Sequence, residues 1–236
     1  MYKRQLHSAL LTLLLCWVCI CIIFPKGLAN IAQIAYPTQP HTEAEYHAEQ
    51  KLKQIGDSHN PDDPHFAAFK AQILKEYGIS DTEDLPINYN GLLMQEGERL
   101  TTQVYREQQA LHDQQLAKQN EMIRHWLWLS PALALQYLQM ASSGNDIAHH
   151  QAFLKQAEHR RYQLIQYLNQ IHTHKVHQHD DKNTRVSSDF WAKAPRPHIG
   201  LSPLSVSQIS ILSAFLVLTG WLFVPLLLLK RVIHRI

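Results

Sequence analysis

RHWLWLSPALALQYLQMASSGNDIAHHQAF, residues Arg124–Phe153, is the stretch whose reading decides the fold. Between Arg124 and Asp146 it holds no acidic or basic residue other than His125. Ser130-Pro131, Gln136, Gln139 and Ser142-Ser143-Gly144 interrupt it. A soluble domain would bury such a run in its core, whereas a membrane protein could lay it on the bilayer surface or against its own spanning helices. Its apolar part, Trp126 to Met140, falls short of the roughly 20 residues needed to cross hydrocarbon. Ser130 is placed to cap, and Pro131 to open, a short helix ending at Ser142-Ser143-Gly144. Asp146 then caps a long helix to about His172, with Phe153, Ala157, Leu164 and Leu168 as its apolar stripe. The stretch therefore reads as a helix-break-helix element outside the bilayer core. Trp126 and Trp128 would be aromatic anchors at the membrane interface.

The two ends of the chain supply that membrane. Ala9 to Phe24 is an apolar run preceded by Lys3, Arg4 and His7 and ended by Pro25-Lys26. It sits near the lower length limit for a span. A cleaved signal peptide with Gly27-Leu28-Ala29 as its cleavage site is the competing reading. Ile209 to Leu229 carries no charge and runs into Lys230-Arg231-Val232-Ile233-His234-Arg235. Basic residues at the outer end of both runs place both termini in the cytoplasm, which requires an even number of spans. Two spans result. Cys16, Cys19 and Cys21 all lie in the first run, so the region between the spans has no cysteine to pair. Their spacing could bind a soft metal; small apolar residues facing lipid or a partner helix are the simpler reading.

Between the spans the chain reads as helical. Glu43 to about Gln54 forms a first helix, and Asn60-Pro61-Asp62-Asp63-Pro64 caps a second one through Tyr77, closed by Gly78. Phe66, Phe69, Ile73 and Tyr77 give that second helix an apolar face. Asp84 to Gly91 is a turn-rich connection. A long helix follows from about Leu92 to Leu129, with Leu93, Leu100, Val104, Leu111 and Ile123 as a sparse stripe. Glu96, Glu98, Arg99, Arg106 and Glu107 would lie on its surface. The fold class is all-α: two transmembrane helices flanking an extracytoplasmic bundle of long helices. The division is residues 1–8 cytoplasmic, 9–29 first span, 30–204 extracytoplasmic with a His-rich linker at 172–200, 205–229 second span and 230–236 cytoplasmic tail. A net charge of +2 over 236 residues, with no basic stripe, argues against nucleic acid.

Three blocks carry a resemblance: Leu85-Pro86-Ile87-Asn88-Tyr89-Asn90-Gly91-Leu92, Leu129-Ser130-Pro131-Ala132-Leu133-Ala134-Leu135, and Gly144-Asn145-Asp146-Ile147-Ala148-His149-His150-Gln151-Ala152-Phe153. Together they resemble a family of bacterial ABC transporter permeases with a large extracytoplasmic domain of unknown function, often labelled multicopper-enzyme-maturation permeases. The resemblance covers one span, the extracytoplasmic domain and the following span; family members carry further membrane helices. It implies a split, truncated or partial permease in the bacterial inner membrane. Its partners would be a cytoplasmic ABC ATPase subunit, the lipid bilayer, and other permease helices or a second copy.

Catalytic motifs are absent from the sequence. There is no phosphate-cradling Gly-x-x-x-x-Gly-Lys-Ser/Thr loop, nucleophile elbow or zinc-protease helix, so the chain is expected not to be an enzyme and ATP hydrolysis to belong to a separate subunit. His149-His150 at a helix start suits a structural role, with Asp146 as a local capping partner. His172, His174, His177 and His179, followed by Asp180 and Asp181, could hold Zn or Cu through imidazole; otherwise the tract is a solvated polar linker. The expected function is a permease component of an ABC transporter. The alternative is a membrane-anchored binding or scaffold protein for a metal ion or metalloenzyme.

Overall fold

A computed structural model describes residues 2–56, 60, 63–180, 185, 187–195 and 207–234. Among them the regular structure is helix, with no strand. The helices are α1 (Tyr2–Val18), α2 (Phe24–Ala35), α3 (His41–Ile55), α4 (Pro64–Tyr77), α5 (Tyr89–His125), α6 (Pro131–Ser143), α7 (Ile147–Lys175), α8 (Ser188–Lys193) and α9 (Gln208–Ile233). The chain divides into two compact bodies. One comprises Met1–Thr38, His112–Leu154 and Gly200–Ile236, the other Gln39–Leu111 and Lys155–Ile199.

The first body is the apolar one. Its N-terminal helix runs through Pro25-Lys26, where the apolar run ends, and on to Ala35. Between α1 and α2 lies one π-helical turn, Cys19–Ile23, closed by the Phe24 N–H on the Cys19 carbonyl. Proline has no N–H and crowds the carbonyl four residues back. A wider turn immediately before Pro25 lets the helix pass it without ending. The helical run Leu6–Ala35, 30 residues, and α9, 26 residues, are both long and apolar enough to cross a membrane. The longer run spans about 45 Å at 1.5 Å per residue. Hydroxyls inside these helices bond the backbone: Thr12 donates to the Ser8 carbonyl at 2.9 Å and Thr219 to that of Phe215 at 2.8 Å. These two hydroxyl hydrogens therefore need no water.

The core of this body joins Leu28, Leu127, Leu133, Tyr137 and Ala214, with Phe24, Met122, Ile123 and Val217 packed on it. The stretch that opened the reading is therefore laid against the two apolar helices. Ser130 caps α6, its Oγ accepting the Leu133 N–H at 3.2 Å, and Pro131 occupies the first turn. Gly144 closes α6 in the left-handed region at φ 71°. The expected long helix ends at His125, and Leu127–Leu129 forms a separate 3₁₀ turn.

In the second body, Asp63 caps α4, its carboxylate accepting the His65 and Phe66 N–H groups, and Gly78 ends it. Pro61 and Asp62 of the expected cap lie outside the described residues. Phe66, Ile73, Leu100, Val104 and Ile171 are buried, while Tyr77 and Leu111 are exposed. The turn-rich connection is shorter than expected, because α5 begins at Tyr89. Asn88, fully buried, accepts the Asn90 and Gly91 N–H groups at 2.9 and 3.3 Å and donates its own N–H to the Thr173 carbonyl at 2.9 Å. Gly91 is thus a helical residue, and a Cβ there would stand 2.5 Å from the Thr173 nitrogen and 2.7 Å from its Cα. The missing side chain lets α5 and α7 meet. The linker is partly structured as well: Tyr167 Oη donates to the Phe190 carbonyl at 3.0 Å, and Arg160 donates to that of Pro195, holding α8 to α7.

Gly91→Ala must push apart two backbones and is expected to cost about 1–3 kcal/mol. Gly220→Ala, with open space around its Cβ, should leave thermal unfolding of the detergent-solubilised chain unchanged or slightly raised. Equal midpoints for the two variants would refute the close crossing.

Candidate functional site

Two clusters in the apolar body fix α6 to α9. At one end, the Trp221 indole N–H donates to the Trp128 carbonyl at 2.9 Å. At the other, the turn at Gly144 delivers Asp146 to the head of α7, where its Oδ1 accepts the His149 N–H at 2.9 Å. The His149 ring Nδ1 lies 2.6 Å from the same oxygen. Ser207, immediately before α9, donates its hydroxyl to Asp146 Oδ2 and lies 3.1 Å from His149 Nδ1. His149 and Ser207 are both buried. α6 therefore runs alongside the first half of α9 in the opposite chain direction, tied at both ends.

The chemistry of the second cluster follows from which atoms meet. A protonated Nδ1 serves both Asp146 and, more weakly, the Ser207 oxygen, while Ser207 gives its own proton to the carboxylate; this tautomer is the one that satisfies all three groups. Burial alone would raise the Asp146 pKa. The Ser207 hydroxyl, the His149 backbone N–H and the His149 ring outweigh it and hold the carboxyl below its ordinary 3.8. Acyl-transfer triads place the acid on one imidazole nitrogen and the hydroxyl on the other. Here both sit on Nδ1, so the imidazole has no path for taking the serine proton onto Nε2. The geometry is that of a three-way lock. Nearby, Tyr137 Oη donates to Asn120 Oδ1 at 2.6 Å, and burial pushes its phenol up to about 12.

Trp126 and Trp128 stack with ring centroids 6.3 Å apart and are 38% and 57% exposed, open enough to meet an interface. The four histidines are spread over the end of α7 and the turn that follows it. His172 and His174 lie in the last turn of α7, His177 follows it, and His179 sits in the 3₁₀ turn Gln178–Asp180. Among the described residues no three His, Cys, Asp or Glu side chains converge as ligands, and Asp181 lies outside them. The cysteine trio of the first helix does not converge either.

In the second body Arg99, Arg106 and Glu107 are exposed as read, and several of the charges on α5 also tie it to other helices. Lys51 meets Glu107 at 3.2 Å, His65 meets Glu96 at 3.0 Å, and Arg161 bonds Glu98 at 2.8 Å and Thr102 at 2.9 Å. Arg99 forks onto Glu96 with both bonds at 2.7 Å, and the Arg106 guanidinium stacks 4.9 Å above Tyr162. The Arg99 hydrogen bond, against the opposing effect of burial, holds the Glu96 carboxyl below its usual range. Sequence reasoning missed Ser207 and Arg161. Ser207 has no local signal, since its partners lie about 60 residues away. Arg161 shows one only in its Glu158 neighbour at helical spacing.

The sequence profile of a family described as "Domain of unknown function (DUF3526)" matches residues 43–198. No curated protein and no solved structure matches the chain.

A depressed carboxylate adds stability that is complete above the unfolded pKa and is lost as pH falls through the lower folded value. The unfolding midpoint should therefore be flat above about pH 5 and fall below about pH 4. Asp146→Asn should flatten part of that fall, and Asp146→Ala should cost about 1–3 kcal/mol at neutral pH through the lost cap and the stranded His149. A wild-type acid slope in Asp146→Asn would remove the lock from the account.

Proposed function

The chain belongs to the DUF3526 family, and on that premise we propose that it is a permease component of a bacterial ABC transporter in the inner membrane. It contributes two spans and an extracytoplasmic helical domain, and a separate cytoplasmic subunit hydrolyses ATP. The resemblance of the three quoted blocks to such permeases is the starting point. The observation that carries the reading is the placement of α6. Tied to α9 from Ser207 to Trp221, it lies along about 21 Å of a helix apolar enough to span. Its uncovered face presents Gln136, Gln139, Ser142 and Ser143 along with Leu135. On an otherwise apolar helix such a face supplies hydrogen bonds to a neighbouring chain. A helix with this face beside a span is suited to further membrane helices or a second copy, as a permease supplies. A simple anchor would have no use for it.

The lock gives this assembly a mechanical element. A displacement of α9 driven from the cytoplasmic side acts on α6 through Trp221 and on the head of α7 through Ser207. The alternative, a membrane-anchored metal-binding scaffold, rests on the His-rich tract, whose described histidines do not meet as a ligand set. It is the weaker reading.

Tagged full-length chain extracted in mild detergent is expected to come down with a subunit bearing a Gly-x-x-x-x-Gly-Lys-Ser/Thr loop, and the eluate to hydrolyse ATP with vanadate sensitivity. Alkaline phosphatase inserted near Gly56 should be active and a fusion after Ile236 inactive. Recovery as a lone monomer would sink the transport reading, and the opposite reporter pattern would sink the orientation.

A further inference from the structure

Where the helical run Leu6–Ala35 ends, the apolar body forms a notch of about 270 Å³ lined by Tyr36, Lys118, Glu121, Met122, His125 and Trp126. Positions 118, 121, 122 and 125 follow helical spacing and share one face of α5. Tyr36 is the residue directly after α2, and its carbonyl is fixed by the Gln119 side-chain amide at 2.6 Å. Trp126 closes the other side, its ring edge-on to His125 at 5.9 Å. Among the described residues Lys118, Glu121 and His125 make no hydrogen bond or ion pair with another side chain, in contrast to the tied charges of the other body. The notch thus holds one cation, one anion, one imidazole, two aromatic rings and a thioether, with its charged groups uncommitted.

That inventory matches one ligand chemistry. A phosphodiester needs a cation and hydrogen-bond donors, which Lys118 and His125 supply. An ammonium tethered to that phosphate needs a carboxylate and an aromatic face, which Glu121 and the Trp126 ring supply. Met122 and the remaining tryptophan surface suit the glycerol and the start of an acyl chain. We propose that this notch holds the headgroup of a zwitterionic aminophospholipid, with phosphate on Lys118 and ammonium on Glu121 and Trp126. The inference rests on the membrane reading above. If Leu6–Ala35 crosses the bilayer, Tyr36 stands at headgroup level, where aromatic and basic side chains gather. A purely anionic lipid would meet repulsion from Glu121, so the acidic residue sets the preference.

The test reconstitutes the full chain into vesicles of phosphatidylethanolamine and phosphatidylglycerol in equal amounts, re-extracts it gently, and measures the lipid that stays bound by mass spectrometry. Retained lipid should favour phosphatidylethanolamine about fivefold, the effect of one headgroup contact worth about 1 kcal/mol. Glu121→Lys should reverse the preference toward phosphatidylglycerol, and Lys118→Gln should lower total retention. Glu43→Lys, the same charge change on exposed α3, should leave the preference as in the wild type. Excess soluble glycerophosphoethanolamine should displace nothing; displacement would overturn the lipid in favour of a soluble headgroup ligand. A chain that stays with the vesicles after alkaline carbonate but shows no preference, or keeps it in Glu121→Lys, overturns the notch alone. A chain that leaves them overturns the membrane reading with it.

Discussion

A helix without charges has to be covered, and the structure of the apolar body follows from how α6 is covered. Its Leu133, Ala134, Tyr137 and Ala141 face is buried, and α9 is its principal neighbour, with Ala214 at the centre of the contact. Small residues at 134, 141 and 214 let the two helices approach closely. Van der Waals packing, which does not depend on expelling water, then holds them together. Hydrogen bonds at the two ends add direction to that contact. The Trp221 indole sets the register at one end and the Asp146–His149–Ser207 lock sets it at the other. A slip by one turn would part Trp221 from the Trp128 carbonyl and Ser207 from Asp146, and a buried group left without its partner costs about 1–3 kcal/mol. Packing supplies the attraction and the polar ends supply the alignment.

The second body solves the same problem with other materials. Its helices are rich in Gln, Glu, Lys and Arg, and its apolar stripes are too thin to bury a large core. Buried Asn88, Thr102 and Thr173 sit among Leu100, Val104 and Ile171. Thr173 shows how such a core is closed: its Oγ1 donates to the Asn169 carbonyl at 2.8 Å and accepts the Gln95 amide at 2.8 Å. The Gln166 amide donates to the Gln95 carbonyl at 3.0 Å. Around this network run the ion pairs from α3, α4 and α7 to α5. Single exposed pairs contribute about 0–1 kcal/mol. Arg161 does better because two carboxylates and a hydroxyl share one guanidinium fork, so its side chain is ordered once for several bonds.

Much of this was legible in the residues, and the failures have physical causes. Ser130-Pro131, Gly144, Asp146 and Gly78 were readable because caps depend on local backbone chemistry. The two apolar runs were readable because length and the absence of charge suffice. The helix carries on past Pro25, as the 9–29 span requires, because the π turn at Cys19–Ile23 widens the turn before the proline. Gly91 misled because a glycine that ends a turn and one that admits a neighbouring helix look alike in sequence; Thr173, its partner, is 82 positions away. Phe153 was assigned to the core by spacing yet is 48% exposed, while Ile171 and Thr173, which spacing did not select, are buried. Glu96 and Glu98 look like solvated charges until the helices carrying His65 and Arg161 are in place.

The three sequence blocks quoted above share a feature in the structure. Each contains a helix cap that does a second task. Asn88 caps α5 and joins its backbone to Thr173. Ser130 caps α6 at full burial, directly after the turn whose Trp128 carbonyl receives Trp221. Asp146 caps α7 and holds Ser207 with its other oxygen. Capping alone tolerates exchange among Ser, Thr, Asn and Asp at a cost of tenths of a kcal/mol to about 1 kcal/mol. The second task removes that freedom: Asp146 needs two acceptor oxygens and a charge, and Ser130 sits where a larger side chain would not fit. Residues that satisfy a local and a distant constraint together have few substitutes.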